Sequence, residues 1–274
     1  MSLGQQPGED LPPGAGRASG WPASPPPPPA RFGATARDIW HFLCHPTPVR
    51  YAARPAKRFR ILLRCLLIAA GLILLLSPAI YGVLEQLGGY EHSVEKLFEA
   101  GDSLLLLFAL AVVLVPVVEE TVFRLYVARF HPIFIVISLA GGLVTAAMLE
   151  AMAVLMILAV LLGFLVAGLL RGQRERLGAW WTRHFRWIVY ASALVFGLVH
   201  LANFVFPEDQ AVPAAIKLVL VTPQILMGLF LAYMRVRHGL VWSMLLHGSY
   251  NGLLLGLGLV FYDLTEGALS PSAG

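Results

Sequence analysis

The sequence predicts an all-α fold, a polytopic bundle of about seven to eight transmembrane helices preceded by a disordered, proline-rich N-terminal tail. Two observations lead to this prediction. Hydrophobic residues make up 58% of the 274 residues and charged residues only 13%, whereas soluble domains are usually about one-quarter charged. The apolar residues also fall into runs of about 20, the length that a helix needs to cross a hydrocarbon core of about 30 Å.

The rest of the composition narrows the class of protein further. The net charge of +4 is too small to indicate nucleic acid as a partner. Cys44 and Cys65, the only cysteines, offer neither metal-ligand spacing nor a disulfide framework. The first 20 residues lack the apolar core of a cleavable signal peptide. We therefore expect the lipid bilayer as the surroundings of the chain and no nucleic-acid partner.

Residues 1–60 are predicted to form a proline-rich, basic segment on the cytoplasmic side. Within this segment, Thr35–Pro46 reads as a short interfacial helix with Trp40 and Phe42 turned towards lipid. The basic stretch Arg50–Arg60 directly precedes the first long apolar run. Cytoplasmic flanks of membrane helices are enriched in Lys and Arg, which places the N-terminus inside.

Residues 61–262 are predicted to form the transmembrane helical domain, followed by a short tail, 263–274. The apolar runs are Ile61–Val83, Ser103–Arg129, Ile133–Leu170, Ile188–Phe206, Val212–Tyr233 and Leu240–Tyr262. The third run would be roughly 57 Å long as one helix, nearly twice the core thickness. We therefore expect it to fold into a hairpin that turns near Glu150. With that turn, all basic clusters fall on one side of the membrane.

Few polar side chains lie deep inside these spans, and they form three groups at helical spacing. The groups are Glu119, Glu120 and Arg124; His200 and Asn203, with Phe196; and His247 and Asn251. Residues three or four apart share one face of a helix. Measured from the inner ends of the spans, their depths overlap at about 8–18 Å. The three groups therefore converge on one pocket that opens to the cytoplasm.

The two glutamates are expected to do different work. A charge buried in the membrane persists only when it is paired, so Glu120 and Arg124, at i and i+4, are read as a structural ion pair. Glu119 has no cation on its own face, which suits it to take up and return a proton as a general base. Hydrogen-bonding glue between helices is the alternative reading of His200 and His247.

The motifs EExxxR, FxxxH and HxxxN occur in that order on separate predicted spans. They stand as Glu119–Arg124, Phe196–His200 and His247–Asn251. This arrangement resembles the CPBP family of intramembrane proteases, which includes the CAAX-processing and bacteriocin-processing (Abi) enzymes. The resemblance covers a core of residues 103–262.

The resemblance implies hydrolysis of a peptide bond at or within the membrane. Glu119 would activate the attacking water, and His200 would help to bind and orient it. His247 and Asn251 would stabilise the oxyanion that develops on the scissile carbonyl. Glu120 and Arg124 are expected to hold the first helix in register, with Phe196 and Asn203 in supporting positions. The substrate would be a membrane-associated protein or peptide.

The resemblance leaves the cofactor open. Glu119, His200 and His247 offer the ligand types of a three-ligand zinc site with an open position. The alternative, slightly favoured, is a metal-free site in which glutamate and histidine activate water.

Two other functions stay as alternatives to the protease. One is a catalytically inactive scaffold or chaperone of the same fold. The other is a proton-coupled transporter, which is less favoured because the sequence shows no internal repeat of the kind found in transporters. The short loops and the composition favour a bacterial inner-membrane protein with its N-terminus and active-site opening in the cytoplasm.

Overall fold

The structure is a computed structural model that describes residues 28–86, 91–92, 104–148, 152–205 and 213–269. The described chain is predominantly helical, which confirms the predicted helical class. The predicted tail up to residue 27, the residue Glu150 and the last residues 270–274 lie outside the described residues.

The elements follow one another along the chain with short connections. The helices are α1 Phe32–Cys44, α2 Pro55–Gln86, α3 Leu104–Ala109, a π-helical segment Leu110–Leu114, α4 Val115–Arg124, α5 Pro132–Met148, α6 Met152–Leu170, α7 Arg174–Arg183, α8 Phe185–Val199, a 3-10 turn His200–Asn203, α9 Ala214–Leu220, α10 Thr222–His238 and α11 Leu240–Leu269. Two short strands, β1 Glu91–His92 and β2 Phe204–Val205, pair antiparallel.

Three of the described helices are long and apolar enough to cross a membrane: Pro55–Gly82, Leu105–Arg124 and Phe185–Asn203. A fourth span results if α9 and α10, which meet at an angle of 51°, are counted as one broken helix. By length and composition the described residues thus show a multi-span membrane protein, with fewer clear spans than the seven to eight expected.

The hairpin predicted between residues 133 and 170 is confirmed, because α5 ends at Met148 and α6 begins at Met152. Helix α5 also packs closely on α4, where the Ser138 hydroxyl donates a hydrogen bond of 3.0 Å to the Thr121 carbonyl. A Cβ on Gly141 would lie 2.7 Å from a methyl group of Val122. A small residue and a side-chain hydrogen bond are the usual means of close helix contact in membranes.

The centre of the bundle is the contact between α8 and α10. Small residues bring the two backbones together: a Cβ on Gly228 would lie 3.1 Å from the Cα of Ala193. A Cβ on Gly197 would collide with Ile225. Since side chains of α8 reach the polar cluster described below, this contact fixes their position.

Helix α1 confirms the predicted short helix, but the expected orientation of Phe42 is wrong. Phe42 is fully buried and packs edge-on against Tyr233 at 5.6 Å between ring centroids. The cause is Asp38 on the same helix, which accepts hydrogen bonds from the hydroxyls of Tyr51 (2.7 Å) and Tyr233 (2.8 Å) and draws α1 onto α10. Burial, reinforced by the Asp38 carboxylate, raises the pKa of the Tyr51 hydroxyl. The predicted segment boundary at residue 60 falls within α2.

Candidate active site

Helix α4 carries the two adjacent glutamates into the bundle with different exposure. Glu120 is fully buried, whereas the Glu119 side chain keeps 23% of its surface exposed. Successive residues of a helix point about 100° apart, so only one of the pair can face the interior. Of the two carboxylates, Glu119 is therefore the partly exposed one, although its Oε2 atom is buried.

His247 on α11 lies between these two carboxylates. Its Nε2 atom is 3.6 Å from Oε2 of Glu119, and its Nδ1 atom is 3.3 Å from Oε1 of Glu120. The imidazole is almost completely buried. The buried Glu120 carboxylate thus orients one side of the ring, and the other side faces the Glu119 carboxylate. Such contacts set the orientation and the tautomer of a histidine in many proteins.

Ser243 is a site residue that sequence reasoning missed. Its hydroxyl contacts Oε2 of Glu120 and also lies 2.8 Å from the Leu231 carbonyl. Ser243 is fully buried and stands one helical turn before His247. The signal was present in the sequence, since Ser243, His247 and Asn251 are spaced at i, i+4 and i+8 and form one polar stripe on α11.

Glu120 and Arg124, the predicted ion pair, attract each other as opposite charges inside the bundle but are not in direct contact. No ion pair within 4.0 Å joins these two residues among those in the described chain. The Arg124 guanidinium instead lies 4.1 Å above the centre of the Phe196 ring and donates a hydrogen bond of 3.3 Å to the Gly228 carbonyl. Ser243 and His247 occupy the space around Glu120, and the aromatic ring and carbonyl offer the cation another partner.

Phe196 is the centre of the cluster rather than simple packing. It is 1% exposed, and its ring contacts the rings of His200 (4.6 Å between centroids), His247 (5.7 Å) and Phe123 (5.6 Å). The two imidazoles therefore sit against one phenyl ring. The structure thus brings His200 and His247 to the same aromatic ring.

The proton position on His200 follows from its hydrogen bond. Its Nδ1 atom lies 2.7 Å from the Phe196 carbonyl oxygen, and a carbonyl only accepts. Nδ1 therefore carries a proton, which leaves Nε2 of the neutral ring as an acceptor. A neutral His200 could accept a hydrogen bond from a water molecule, as the predicted orienting role requires.

Asn251 is held by the irregular helix that precedes α4. Its Nδ2 atom donates a hydrogen bond of 2.9 Å to the Ala111 carbonyl in the π-helical segment. π-Helical turns are frequent at functional sites. One N–H of the Asn251 amide group is used in this contact, and the second N–H is left for another acceptor. Asn203 ends the 3-10 turn after His200, and no contact with Glu119 or His247 is seen for it in the described residues.

The close contact of α11 with the π-helical segment gives a test of this geometry. A Cβ on Gly248 would collide with the Val112 carbonyl, whereas a Cβ on Gly256 meets nothing within 4 Å. We expect Gly248→Ala to lower the thermal midpoint of the purified protein. Gly256→Ala should leave it unchanged or raise it, since Ala is favoured over Gly by about 1 kcal/mol within helices. Equal midpoints for the two variants would contradict the contact.

Carboxylate and imidazole side chains of the kind that bind metal ions lie in this cluster. Glu119 and His247 bring one oxygen and one nitrogen within 3.6 Å. Among the residues that the structure describes, no group of three His, Cys, Asp or Glu side chains is arranged to hold a metal. The expected three-ligand set of Glu119, His200 and His247 is therefore not assembled, and we derive no step through a metal.

The sequence model of the family described as Type II CAAX prenyl endopeptidase Rce1-like matches residues 101–253, more than half of the chain. The chain belongs to this Rce1-like family. No curated protein and no solved structure matches it. The matched residues run from just before α3 into α11 and include all three sequence motifs, in agreement with the predicted CPBP-type resemblance.

The Rce1-like family is a family of membrane proteases. The match leaves out all of α1 and α2, so the docked N-terminal helix lies outside the family core. The family core includes all members of the cluster: Glu119, Phe196, His200 and His247.

Proposed function

We propose that the protein is an intramembrane endopeptidase that cleaves a membrane-associated protein of the CAAX type by direct attack of water. The observation that carries the proposal is the partly exposed Glu119 side chain, whose Oε2 atom lies 3.6 Å from a histidine whose other nitrogen faces the buried Glu120. A base that can be reached, next to an oriented imidazole, is the arrangement that general acid–base hydrolysis needs.

In the proposed reaction, Glu119 takes a proton from water as the water oxygen attacks the scissile carbonyl carbon. Nε2 of His200 accepts a hydrogen bond from the same water and orients it. The tetrahedral intermediate then collapses, the C–N bond breaks, and Glu119 returns the proton to the leaving amine. The products are a new carboxylate and a new amine, and the enzyme ends in its starting state.

The oxyanion is proposed to be stabilised by His247 and Asn251 on α11. The Asn251 amide keeps one N–H that its contact with Ala111 does not use. Glu120 and Ser243 act as positioning residues, because they contact His247 and α10 rather than the open side of the site. Removing one preorganised oxyanion donor typically costs a factor of about 100–1,000 in turnover.

We propose seven crossings for the whole bundle, with the active site open to the cytoplasm of a bacterial inner membrane. The hairpin helices α5 and α6 and the long α11 would add three spans to the four that length and composition support. Basic residues of the N-terminal segment and α10 lie together, since Arg237 donates hydrogen bonds to the carbonyls of Thr47 (3.0 Å) and Val49 (2.8 Å). Such clusters favour the cytoplasmic side.

The direct test uses a prenylated peptide. The purified chain in lipid nanodiscs is mixed with a farnesylated peptide that ends in a CAAX sequence, and mass spectrometry follows release of the residues after the modified cysteine. We expect release from the farnesylated peptide and little from its unmodified counterpart. No cleavage of any membrane-presented peptide would overturn the assignment and favour the inactive scaffold.

Metal removal separates the two proposed forms of water activation. We expect the cleavage rate after dialysis against 1,10-phenanthroline and EDTA to stay within about twofold of the untreated rate, because glutamate and histidine suffice for general base catalysis. The control adds zinc back to the treated enzyme. A large loss of rate that zinc restores would contradict metal-free activation.

A further inference from the structure

A cavity of about 350 Å³ lies outside the active-site cluster, beyond the C-terminal end of α4. Three arginines line it: Arg50, Arg129 and Arg235. No Asp or Glu is among its lining residues, which otherwise are apolar or glycine. Such a concentration of one sign of charge attracts anions, and arginine matches the geometry of phosphate in particular.

The guanidinium groups retain donors for a ligand. Arg235 uses Nε and Nη2 to hold the carbonyls of Arg124 (2.9 Å) and Leu125 (2.6 Å), which leaves Nη1 free of these two contacts. Arg129 lies against the Phe134 ring at 5.7 Å from its centroid. Nη2 of Arg50 lies 3.5 Å from the position that a Cβ atom on Gly239 would occupy. Neither Arg50 nor Arg129 forms an ion pair with a described carboxylate.

Two apolar stripes begin beside this cavity. The first stripe is on α5, where Ile133 and Ile137 lie one helical turn apart and have 61% and 43% of their surfaces exposed. Val241 and Leu245 do the same on α11, at 65% and 48%. Each stripe starts next to an apolar lining residue, Phe134 or Leu240. In a membrane protein, exposed surfaces of this kind face acyl chains.

We propose that this cavity binds the phosphate headgroup of an anionic phospholipid, whose acyl chains lie along the two stripes. Basic pockets between membrane helices are suited to anionic headgroups, and each arginine near the surface contributes about a fivefold factor in affinity. The paired stripes favour a two-chain lipid over the single extended chain of a peptide. The proposal does not depend on the proposed protease activity.

The test measures lipid binding to the purified full chain in a neutral detergent. Dioctanoyl phosphatidylglycerol, dioctanoyl phosphatidylcholine and glycerol 3-phosphate are titrated separately, and native mass spectrometry counts the bound molecules. We expect one phosphatidylglycerol at saturation, weaker binding of glycerol 3-phosphate and little binding of phosphatidylcholine. The double variant Arg50→Gln with Arg129→Gln should bind phosphatidylglycerol roughly thirtyfold more weakly.

The matched control removes two arginines elsewhere. Arg174 and Arg183 are exposed on α7, and their replacement by Gln should leave the affinity unchanged. The pair Ile133→Ser with Val241→Ser should weaken phosphatidylglycerol about fivefold and leave glycerol 3-phosphate unaffected. Equal loss in the two arginine double variants would overturn the site. Unchanged lipid affinity with a raised KM for peptide would show that the arginines bind a substrate carboxylate instead.

Discussion

Replacing Glu119 by Gln is expected to abolish peptide cleavage while leaving the fold intact. Glutamine keeps the size of the side chain but cannot take a proton from water. Positioned general bases contribute about 10²–10⁴-fold, so kcat should fall by that factor with KM little changed. The thermal midpoint should shift by no more than about 1–2 °C, because the glutamine keeps an oxygen that can face Nε2 of His247, and changes that lose no contact usually stay within about 0.5 kcal/mol.

The control for this variant is Glu175→Gln on α7. Glu175 is exposed in the first turn of that helix and lies outside the cluster. The Glu175→Gln variant makes the same change of charge and should keep the full cleavage rate. If Glu119→Gln cleaved the farnesylated peptide as fast as Glu175→Gln, Glu119 would not be the base. A lowered thermal midpoint together with lost activity would indicate a structural role for this carboxylate.

Replacing Phe196 by Ala is expected to have the largest effect on stability. Its ring is buried and holds Arg124, His200 and His247 around it. Deleting a buried phenyl group typically costs about 3–5 kcal/mol, which corresponds to a fall of roughly 10 °C in thermal midpoint for a chain of this size. Cleavage should also be lost, because both imidazoles lose the surface that orients them.

Phe164 provides the matched comparison for Phe196. It lies on α6 with 73% of its surface exposed, so Phe164→Ala removes the same group from the outside of the bundle. We expect its midpoint, measured in the same detergent, to stay close to that of the unchanged protein. Similar losses for the two variants would show that Phe196 is not the centre of the cluster.

The sequence predicted the helical class, the hairpin between α5 and α6, and the motif helices from hydropathy and spacing alone. Long apolar runs report membrane spans because the bilayer imposes their length. Spacing at i and i+4 reports which side chains share a face. The proximity of Glu119 and His247 follows from those two rules once the helices meet. Their catalytic roles remain predictions.

Spacing along one helix does not tell which neighbour lies across from it. For this reason the sequence predicted only the Arg124 charge as a partner of Glu120, although the side chains in direct contact with Glu120, Ser243 and His247, come from α11. The π-helical turn that presents the Ala111 carbonyl to Asn251 has no sequence pattern of its own. Phe42 was placed on the outside because its burial depends on Asp38, whose partner Tyr233 lies far along the chain.

The fate of the water oxygen tests the proposed mechanism most directly. A single turnover with excess enzyme in H₂¹⁸O is analysed by mass spectrometry for label in the new product carboxylate and in the tryptic or chymotryptic peptide that contains Glu119. Direct attack by activated water predicts one ¹⁸O atom in the product and none in Glu119. Label in Glu119 with an unlabelled product would show that this carboxylate attacks the peptide itself, and the proposed mechanism would be wrong.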